Sequence, residues 1–328
     1  MRVAVIRGGR SSEHAVSLRS GAAVAEGLRA AGHEPVDVVI EPGGRWVTGA
    51  DAEGHGGSDV DLRAAAGLLD CDAAFPVLHG PFGEDGVVQG LLESLDLPYV
   101  GPGVLAAATT IDKLVFKRLL RDAGIAQVDF CAAGDPGWRE RVEEMGLPVW
   151  VKPSRLGSSV GILKVNEPGG LDPAVESAAA HDPRVIVEAH CDGWEVECSV
   201  MGNDEVETSL PGQVVTGAEW YHYEAKYSAG GMELVVPAPI GDDLVARVRE
   251  LAERVYRLLG CTGLARCDFF VTEGGEVLVN ELNTIPGFTE TSVFAKLFEA
   301  TGVPYPEICD RLVGLAIERH ETERSYKY

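Results

Sequence analysis

The sequence predicts an α/β protein, α+β overall: a parallel α/β unit at the N-terminus, a compact second unit, and a third of antiparallel strand pattern. Three observations carry this. Through about the first hundred residues, short β-branched runs alternate with Ala/Leu-rich stretches of helical period. A Pro/Gly-rich segment, Pro98 to Gly103, then breaks the pattern, and beyond Glu188 strand runs are separated by turn signals at Gly202-Asn203 and Gly274-Gly275.

Val3 to Ile6, Val36 to Ile40 and Ala73 to Leu78 are short, largely apolar runs of strand length that read as buried strands. Ser17 to Ala31 and Val87 to Leu95 carry helical pattern. In such a sheet ligands collect beyond the carboxyl ends of the strands, where the loops Gly8 to His14 and His79 to Gly86 fall. Pro98-Tyr-Val-Gly-Pro-Gly103 cannot continue a helix and closes the first unit, 1–101. The second, 102–187, has a helix from Asp112 to Ala123, strands at Pro148 to Lys152 and Ile162 to Val165, a helix from Pro173 to Ala180 and a strand from Val185 to Glu188. The third, 188–328, adds amphipathic helices from Asp242 to Leu259 and Pro306 to His320 to its strands.

Charge restricts what this chain binds. With 28 basic and 51 acidic residues among 328, the net charge is −23. That field repels nucleic acid and anionic membrane, so a polyanionic ligand must be held by a few placed cations and a bound metal. No apolar run approaches the ~18 residues of a membrane span, and Met1 to Ile6 lacks a signal-peptide layout. The 7 cysteines (Cys71, Cys131, Cys191, Cys198, Cys261, Cys267 and Cys309) are scattered and never spaced CxxC. This argues against a disulfide framework or zinc site and for small buried hydrophobes in a reducing compartment. The expectation is a cytoplasmic protein with neither nucleic-acid nor membrane partners.

Candidate chemistry begins with a hairpin. Taking Gly274-Gly275 as a two-residue turn between the strands Gly263 to Thr272 and Val277 to Leu282 sets Asp268 opposite Glu281 and Arg266 opposite Asn283. Period-two alternation then projects all four from one face. Oxygens from Asp268, Glu281 and Asn283 beside one guanidinium form a site for Mg²⁺ or Mn²⁺, with the arginine placed for a phosphate or an oxyanion. The alternative is a solvated hairpin face with an ordinary Arg-Asp pair. The Pro-Gly loop Thr284 to Ser292, running into a helix, offers N–H groups to an anion and favours the first reading.

Lysine is scarce: Lys113, Lys117, Lys152, Lys164, Lys226, Lys296 and Lys327. Lys152 leads into Pro153 to Gly161, a small-residue loop whose N–H groups can close over phosphates. It is not a Walker A loop, since no lysine follows a glycine and a strand comes next. Alone it reads as a hairpin loop; beside Lys152 and the acidic trio of the third unit it reads as a nucleotide loop. Glu188 and Glu195 flank the junction of the second and third units, where an adenosine is gripped or a polar linker passes. Tyr221 to Gly231, aromatic and charged without a period, is a lid or an ordinary surface loop. His79, at a strand end, touches substrate or is satisfied structurally.

These blocks together resemble the D-alanine:D-alanine ligases of the ATP-grasp superfamily over essentially the whole chain. They are Gly8 to Ser17 (GGRSSEHAVS), His79 to Gly86 (HGPFGEDG), Asp112-Lys113, Val151 to Gly161 (VKPSRLGSSVG), Tyr223 to Tyr227 (YEAKY), Arg266-Cys-Asp268 and Asn280 to Thr289 (NELNTIPGFT). Each alone is modest, and seven in order are specific. The resemblance implies a three-lobed ATP-grasp fold with an N-terminal parallel α/β lobe, ATP between the second and third lobes, and two D-alanines beneath it. One D-alanine carboxylate attacks the γ-phosphate, the second D-alanine's amine attacks the acyl phosphate, and phosphate leaves through a tetrahedral intermediate, for peptidoglycan precursor synthesis.

By the same resemblance, Glu13 binds the first substrate's ammonium, linked to Ser158 and Tyr227, and Val16 and His79 shape that pocket. Lys113 and Lys152 hold the phosphates, Glu188 and Glu195 the adenosine, with Ser159 and Cys191 also on the nucleotide. Asp268, Glu281 and Asn283 bind two Mg²⁺ (or Mn²⁺) ions. Arg266 and the Gly287 N–H stabilise the oxyanion, and Ser292, Val293 and Lys226 serve the second substrate. Relatives are usually homodimers. Leu156 stands where many relatives carry Glu, and Ala295 where a proline is expected. Tyr227 in its Glu-Ala-Lys-Tyr setting implies an amine acceptor rather than a hydroxy acid. The alternatives are a ligase of the same fold with D-serine, D-lactate or a secondary-metabolite partner, a nucleotide-binding regulator without turnover, and a kinase that stops at the acyl phosphate. The set Lys152, Arg266, Asp268, Glu281 and Asn283 argues against the regulator, and Ser292 with its loop against the kinase.

Overall fold

A computed structural model describes residues 1–49, 54, 56–59, 70–157, 160–216 and 232–327. The first sheet comprises β1 (Arg2–Gly8), β2 (Glu34–Ile40), β3 (Trp46–Thr48), β4 (Ser58–Asp59) and β5 (Ala73–Pro76), in the order β4-β3-β2-β1-β5. Its β2, β1 and β5 are parallel, and α1 (His14–Ala30) and α2 (Val87–Ser94) accompany it. Val3, Ala4, Val5 and Ile6 are fully buried, which is why β1 reads as an unbroken apolar run. The antiparallel β3 and β4 are too short to show a period.

The second sheet, β6 (Phe130–Ala132), β7 (Val149–Pro153), β8 (Leu163–Val165) and β9 (Val185–Ala189), is antiparallel in the order β6-β9-β7-β8. Two helices precede it where the sequence suggests one: α3 (Val104–Ile111) and α4 (Lys113–Asp122). VLAAATTI carries no charged residue and only two adjacent threonines, so no clear polar face marks α3. Asp112, in extended conformation, ends it and caps α4 by accepting from the N–H groups of Leu114 and Val115. α5 (Trp138–Met145) and α6 (Leu171–Ala179) complete the unit.

The third sheet is antiparallel: β10 (Trp194–Gly202), β11 (Val206–Thr208), β12 (Gly212–Thr216), β13 (Met232–Val235), β14 (Gly263–Val271) and β15 (Val277–Asn283). Their order is β13-β12-β10-β14-β15, with β11 also on β10. The helices are α7 (Asp242–Leu258), α8 (Val293–Ala300) and α9 (Tyr305–Arg324).

The β14–β15 turn corrects the two-residue expectation. Thr272 N–H donates to Glu276 O at 3.0 Å, Val271 faces Val277, and three residues, Glu273 to Gly275, make the turn, with Gly275 at φ +82°. A bulge at Asn280, between the Asp268–Glu281 and Phe269–Val279 pairs, then shifts the register by one residue. The two offsets cancel, so Asp268 does face Glu281 and Arg266 faces Asn283.

The first and third units share one core, in which Val5, Phe75 and Leu28 pack with Leu264, Phe294 and Ile308. The second has its own, around Val149, Val151, Ala178 and Val187. The first unit's loops are therefore fixed against the third, and a cleft runs between the second and third sheets. Of the seven free cysteines, Cys71, Cys198, Cys261, Cys267 and Cys309 are buried, as small hydrophobes would be. Among the described residues no helix is long and apolar enough to cross a membrane.

Candidate active site

The cleft holds a cavity of about 410 Å³ whose lining includes Lys113, Trp150, Lys152, Glu188, Cys191, Glu195, Glu197, Asp268 and Glu281. Small-ligand pockets run from roughly 300 to 1,000 Å³. Its floor is an ion triad: Glu188, 2% exposed, lies 2.5 Å from Lys152 Nζ and 3.1 Å from Lys117 Nζ. Burial pushes the Glu188 carboxyl up, but the two ammonium groups overcome it and hold the group at about 2. Burial opposes charge on Lys152, yet the carboxylates of Glu188, Glu281 and Glu195 win and raise it. Lys117, deeper, is lowered by burial despite Glu188. The Glu188 carboxylate thus lies between the two lysines, and Lys152, which lines the cavity, presents a cation suited to a polyphosphate.

Asp112 sets the geometry of the other lysine. Its Oδ1 accepts from Ser154 Oγ at 2.7 Å, tying the start of α4 to the loop after Lys152. Lys113 Nζ then donates to Leu156 O at 2.7 Å and stands 3.8 Å from Glu281. Because position 156 contributes its carbonyl to Lys113, a leucine there removes no cavity contact that the lysine needs.

Across the cleft, Arg266 clamps Asp268 through Nε and Nη2, both at 2.7 Å, and Asn283 Nδ2 donates to Asp268 at 2.9 Å. Asp268 is 8% exposed, which removes the solvated-face reading of the hairpin. Beneath lies the junction of the first and third units. His79, 5% exposed, contacts Ile285 O at 3.0 Å through Nδ1 and Ser20 Oγ at 3.3 Å through Nε2. A carbonyl only accepts, so Nδ1 carries the proton, and burial lowers the imidazole's pKa against the pull of Glu13. Glu84 accepts from Gly80 N at 2.6 Å and Ile285 N at 3.3 Å. Burial and the nearby Glu13 raise it to about 8, against those two donors.

Glu13, buried at the start of α1, has Oε2 3.5 Å from where a Cβ on Gly157 would stand, which brings it against the loop after Lys152. Gly80 is required beside it: φ is +72° and a Cβ would lie 2.8 Å from Glu13 Oε2. Phe288 anchors the loop between β15 and α8. Its ring lies 5.4 Å from Phe75 and Phe294 and 5.6 Å from Tyr305, whose hydroxyl donates to Phe288 O at 2.9 Å. Ser292 precedes α8 and its Oγ accepts from Thr289 N at 3.0 Å, beside Gly287.

Comparison with known proteins decides the family. Sequence models described as "D-ala D-ala ligase N-terminus" and "D-ala D-ala ligase C-terminus" match residues 2–102 and 119–314. The chain belongs to the D-alanine–D-alanine ligase family. It is 44% identical to the D-alanine–D-alanine ligase of Deinococcus radiodurans, covering 97% of this chain and 98% of that one. With the corresponding ligase of Geobacillus kaustophilus it is 39% identical over 100% of this chain and 97% of the relative. Among solved structures it resembles the D-alanine–D-alanine ligase of Coxiella burnetii (TM-score 0.85, 32% identity, 99% of this chain and 96% of that one). It also resembles the VanG D-Ala:D-Ser ligase of Enterococcus faecalis (TM-score 0.82, 32% identity, 96% and 99%).

In this ligase-family chain the cavity gathers Lys113, Lys152, Glu188, Cys191, Glu195, Asp268 and Glu281. Asn283 joins through Asp268. Glu13, His79, Gly287 and Ser292 lie at the junction below it, and Val16 and Val293 are buried in α1 and α8. Ser158, Ser159, Lys226 and Tyr227 lie outside the described residues, as does the lid segment 221–231. Ala295 sits in the first turn of α8, where a proline's missing N–H would cost nothing, so alanine is equally accommodated.

Sequence reasoning passed over Lys117, Glu84 and Glu197. Lys117 does leave a signal: it interrupts the buried stripe Leu114, Lys117, Leu120 of an amphipathic helix. For a metal, no three His, Cys, Asp or Glu side chains converge among the described residues. The donor set is instead two carboxylates and an amide beside a phosphate-sized cavity, which suits Mg²⁺, an ion that binds through one or two carboxylates and takes other ligands from phosphate and water.

Proposed function

We propose that this protein joins two D-alanines into D-alanyl-D-alanine with conversion of ATP to ADP and phosphate, through a D-alanyl phosphate, for peptidoglycan precursors in the cytoplasm. The observation that carries the reading is the meeting in one cavity of the Lys113 and Lys152 side chains with Asp268 and Glu281, two carboxylates of the hairpin face on which Arg266 and Asn283 stand in the next row.

Lys113 and Lys152 bind and orient the polyphosphate, and Glu188, Cys191 and Glu195 line the adenosine end. Phosphoryl transfer to a carboxylate needs alignment and charge neutralisation rather than covalent help from the protein. When bound by Asp268, Glu281 and Asn283, two Mg²⁺ (or Mn²⁺) ions supply that neutralisation at the phosphates. Glu13, with Ser158 and Tyr227, holds the donor's ammonium, and His79 and Val16 close its pocket. Arg266 and the Gly287 N–H face the oxygen that becomes negative as the second amine attacks, and Ser292, Val293 and Lys226 hold the acceptor's carboxylate. A homodimer is part of the same reading and rests on the family alone.

The test is phosphate release from the purified protein with ATP, Mg²⁺ and a panel of D- and L-amino and hydroxy acids, with mass detection of product. D-Alanine alone is expected to sustain turnover and give the dipeptide. Turnover only with a mixed pair would replace the second substrate, and no amino-acid-dependent ADP would remove the ligase reading.

A further inference from the structure

The face that carries the hairpin residues continues onto a third strand. In register, Ser199, Arg266 and Asn283 form one cross-strand row of β10, β14 and β15, and Glu197, Asp268 and Glu281 form the next. Three carboxylates therefore stand side by side at strand spacing, ~4.8 Å, an arrangement that repels itself unless cations intervene. Arg266 is one such cation. Its Nε lies 2.7 Å from Glu197 Oε2 and 2.7 Å from Asp268 Oδ1, and the Glu197 and Arg266 side chains are 6% and 13% exposed.

Asp268 thus has two duties that compete. Both its oxygens serve Arg266 here, and one also accepts from Asn283. In the proposed reaction the same carboxylate serves a divalent cation, which draws on the lone pairs that Arg266 now uses. An arginine that loses its partner regains the rotamer freedom of a long side chain. Glu197, on the neighbouring strand, pairs with the same guanidinium and is not among the residues assigned to the metal.

We propose that Glu197 is a positioning residue for Arg266: its carboxylate, ion-paired with the guanidinium at 2.7 Å from Nε, is placed to take the Nε–H that Asp268 now accepts, so that the arginine keeps its aim when Asp268 turns to the metal. The inference rests on the ligase reading above for what Arg266 is aimed at, and on the structure alone for what holds it. Outer partners of catalytic groups typically contribute 10- to 100-fold.

The test combines kinetics with a readout independent of turnover. Glu197→Gln is expected to lower kcat by ~10- to 100-fold with the KM for ATP and the Mg²⁺ requirement within about twofold. In an Arg266→Ala background the same change is expected to cost less than about twofold, because the group it acts through is gone. In ¹⁵N-arginine-labelled protein, a protected Nε–H resonance, assigned by its loss in Arg266→Lys, is expected to persist when ADP and Mg²⁺ are added to wild type and to lose its protection on the same addition in Glu197→Gln, where no carboxylate remains to take the proton that Asp268 releases. Glu197→Asp, which keeps the charge but shortens the reach, replaces Glu197→Gln should that variant not fold, with the same coupling expected. A tenfold rise in the Mg²⁺ needed for half-maximal rate would make Glu197 a metal ligand and overturn the proposal. Losses that multiply with Arg266→Ala, or an Nε–H signal indifferent to Glu197→Gln, would overturn it equally. Should wild type show no D-alanine-dependent turnover, the ligase reading falls while the resonance still decides whether Glu197 holds Arg266.

Discussion

Glu188→Gln removes the anion from between two buried ammonium groups while conserving shape. The drop of the Glu188 carboxyl from 4.5 to about 2 is what remains after burial, which opposes ionisation, has been overcome by Lys117 and Lys152. At about 1.4 kcal/mol per pH unit this is roughly 3 kcal/mol of stability at neutral pH. The figure agrees with the ~3–5 kcal/mol typical of removing one partner from a buried pair. With an unfolding entropy of about 2.1 cal/mol/K per residue over 328 residues, it lowers Tm by about 4 °C. The assay is a thermal melt of the nucleotide-free protein at pH 7. Because the folded-state value lies below the unfolded one, the contribution is complete above 4.5 and fades as pH falls toward 2. The gap between wild type and variant must therefore close in acid. Lys117→Met in the Glu188→Gln background should recover part of the loss, since Lys117, 1% exposed, is then no longer a buried charge without its anion. A variant melting within about 1 °C of wild type, or a gap that is the same at pH 7 and pH 3, would refute the reasoning.

Arg266→Ala is expected to lower kcat by ~10²- to 10³-fold in protein that is still folded at the assay temperature, with a lower Tm because Glu197 and Asp268 lose their buried cation, and steady-state turnover equal to wild type would take Arg266 out of the mechanism. Glu84 sits at about 8 because burial and Glu13 disfavour its charge. Its folded-state value lies above the unfolded one, so the apo protein loses stability as pH rises from 4.5 to about 8, and Glu84→Gln should flatten that slope in melts taken across the window. An unchanged slope would exclude Glu84 as its source. Gly80→Ala sets a Cβ 2.8 Å from Glu13 Oε2 at φ +72°. It is expected to raise the KM for the donor D-alanine by at least about tenfold while leaving the KM for ATP near wild type, because the nucleotide cavity is elsewhere. Initial rates against each substrate measure both.

Much of this molecule is legible in its residues because the relevant signals are local. β1 and β5 are apolar runs covered on both faces, and Lys152, Glu188 and Arg266 with Asp268 stand at strand positions that alternation alone assigns to a face. The hairpin shows where local reasoning reaches the right pairing by the wrong path: Thr272 and Glu276 close a three-residue turn and the Asn280 bulge restores the register. Neither device has a signature in Gly274-Gly275, since a Gly-Gly pair suits a two-residue or a three-residue hairpin turn alike. α3 is silent because an uncharged octet whose only polar residues are the adjacent Thr109 and Thr110 has no clear period to read.

The sequence by itself determined the fold class, the family and the residue types available to the chemistry, because motif order and strand alternation are properties of neighbours along the chain. Only the tertiary structure decided the charge states and partners. Lys117 becomes a ligand of Glu188 when α4 packs on the second sheet. Glu84 is raised to about 8 when its loop is buried beside Glu13 against Ile285. Glu197 meets Arg266 because β10 lies beside β14, with well over fifty residues of chain between them. Desolvation and Coulomb energies depend on distance in space, and no pattern along the chain encodes that distance.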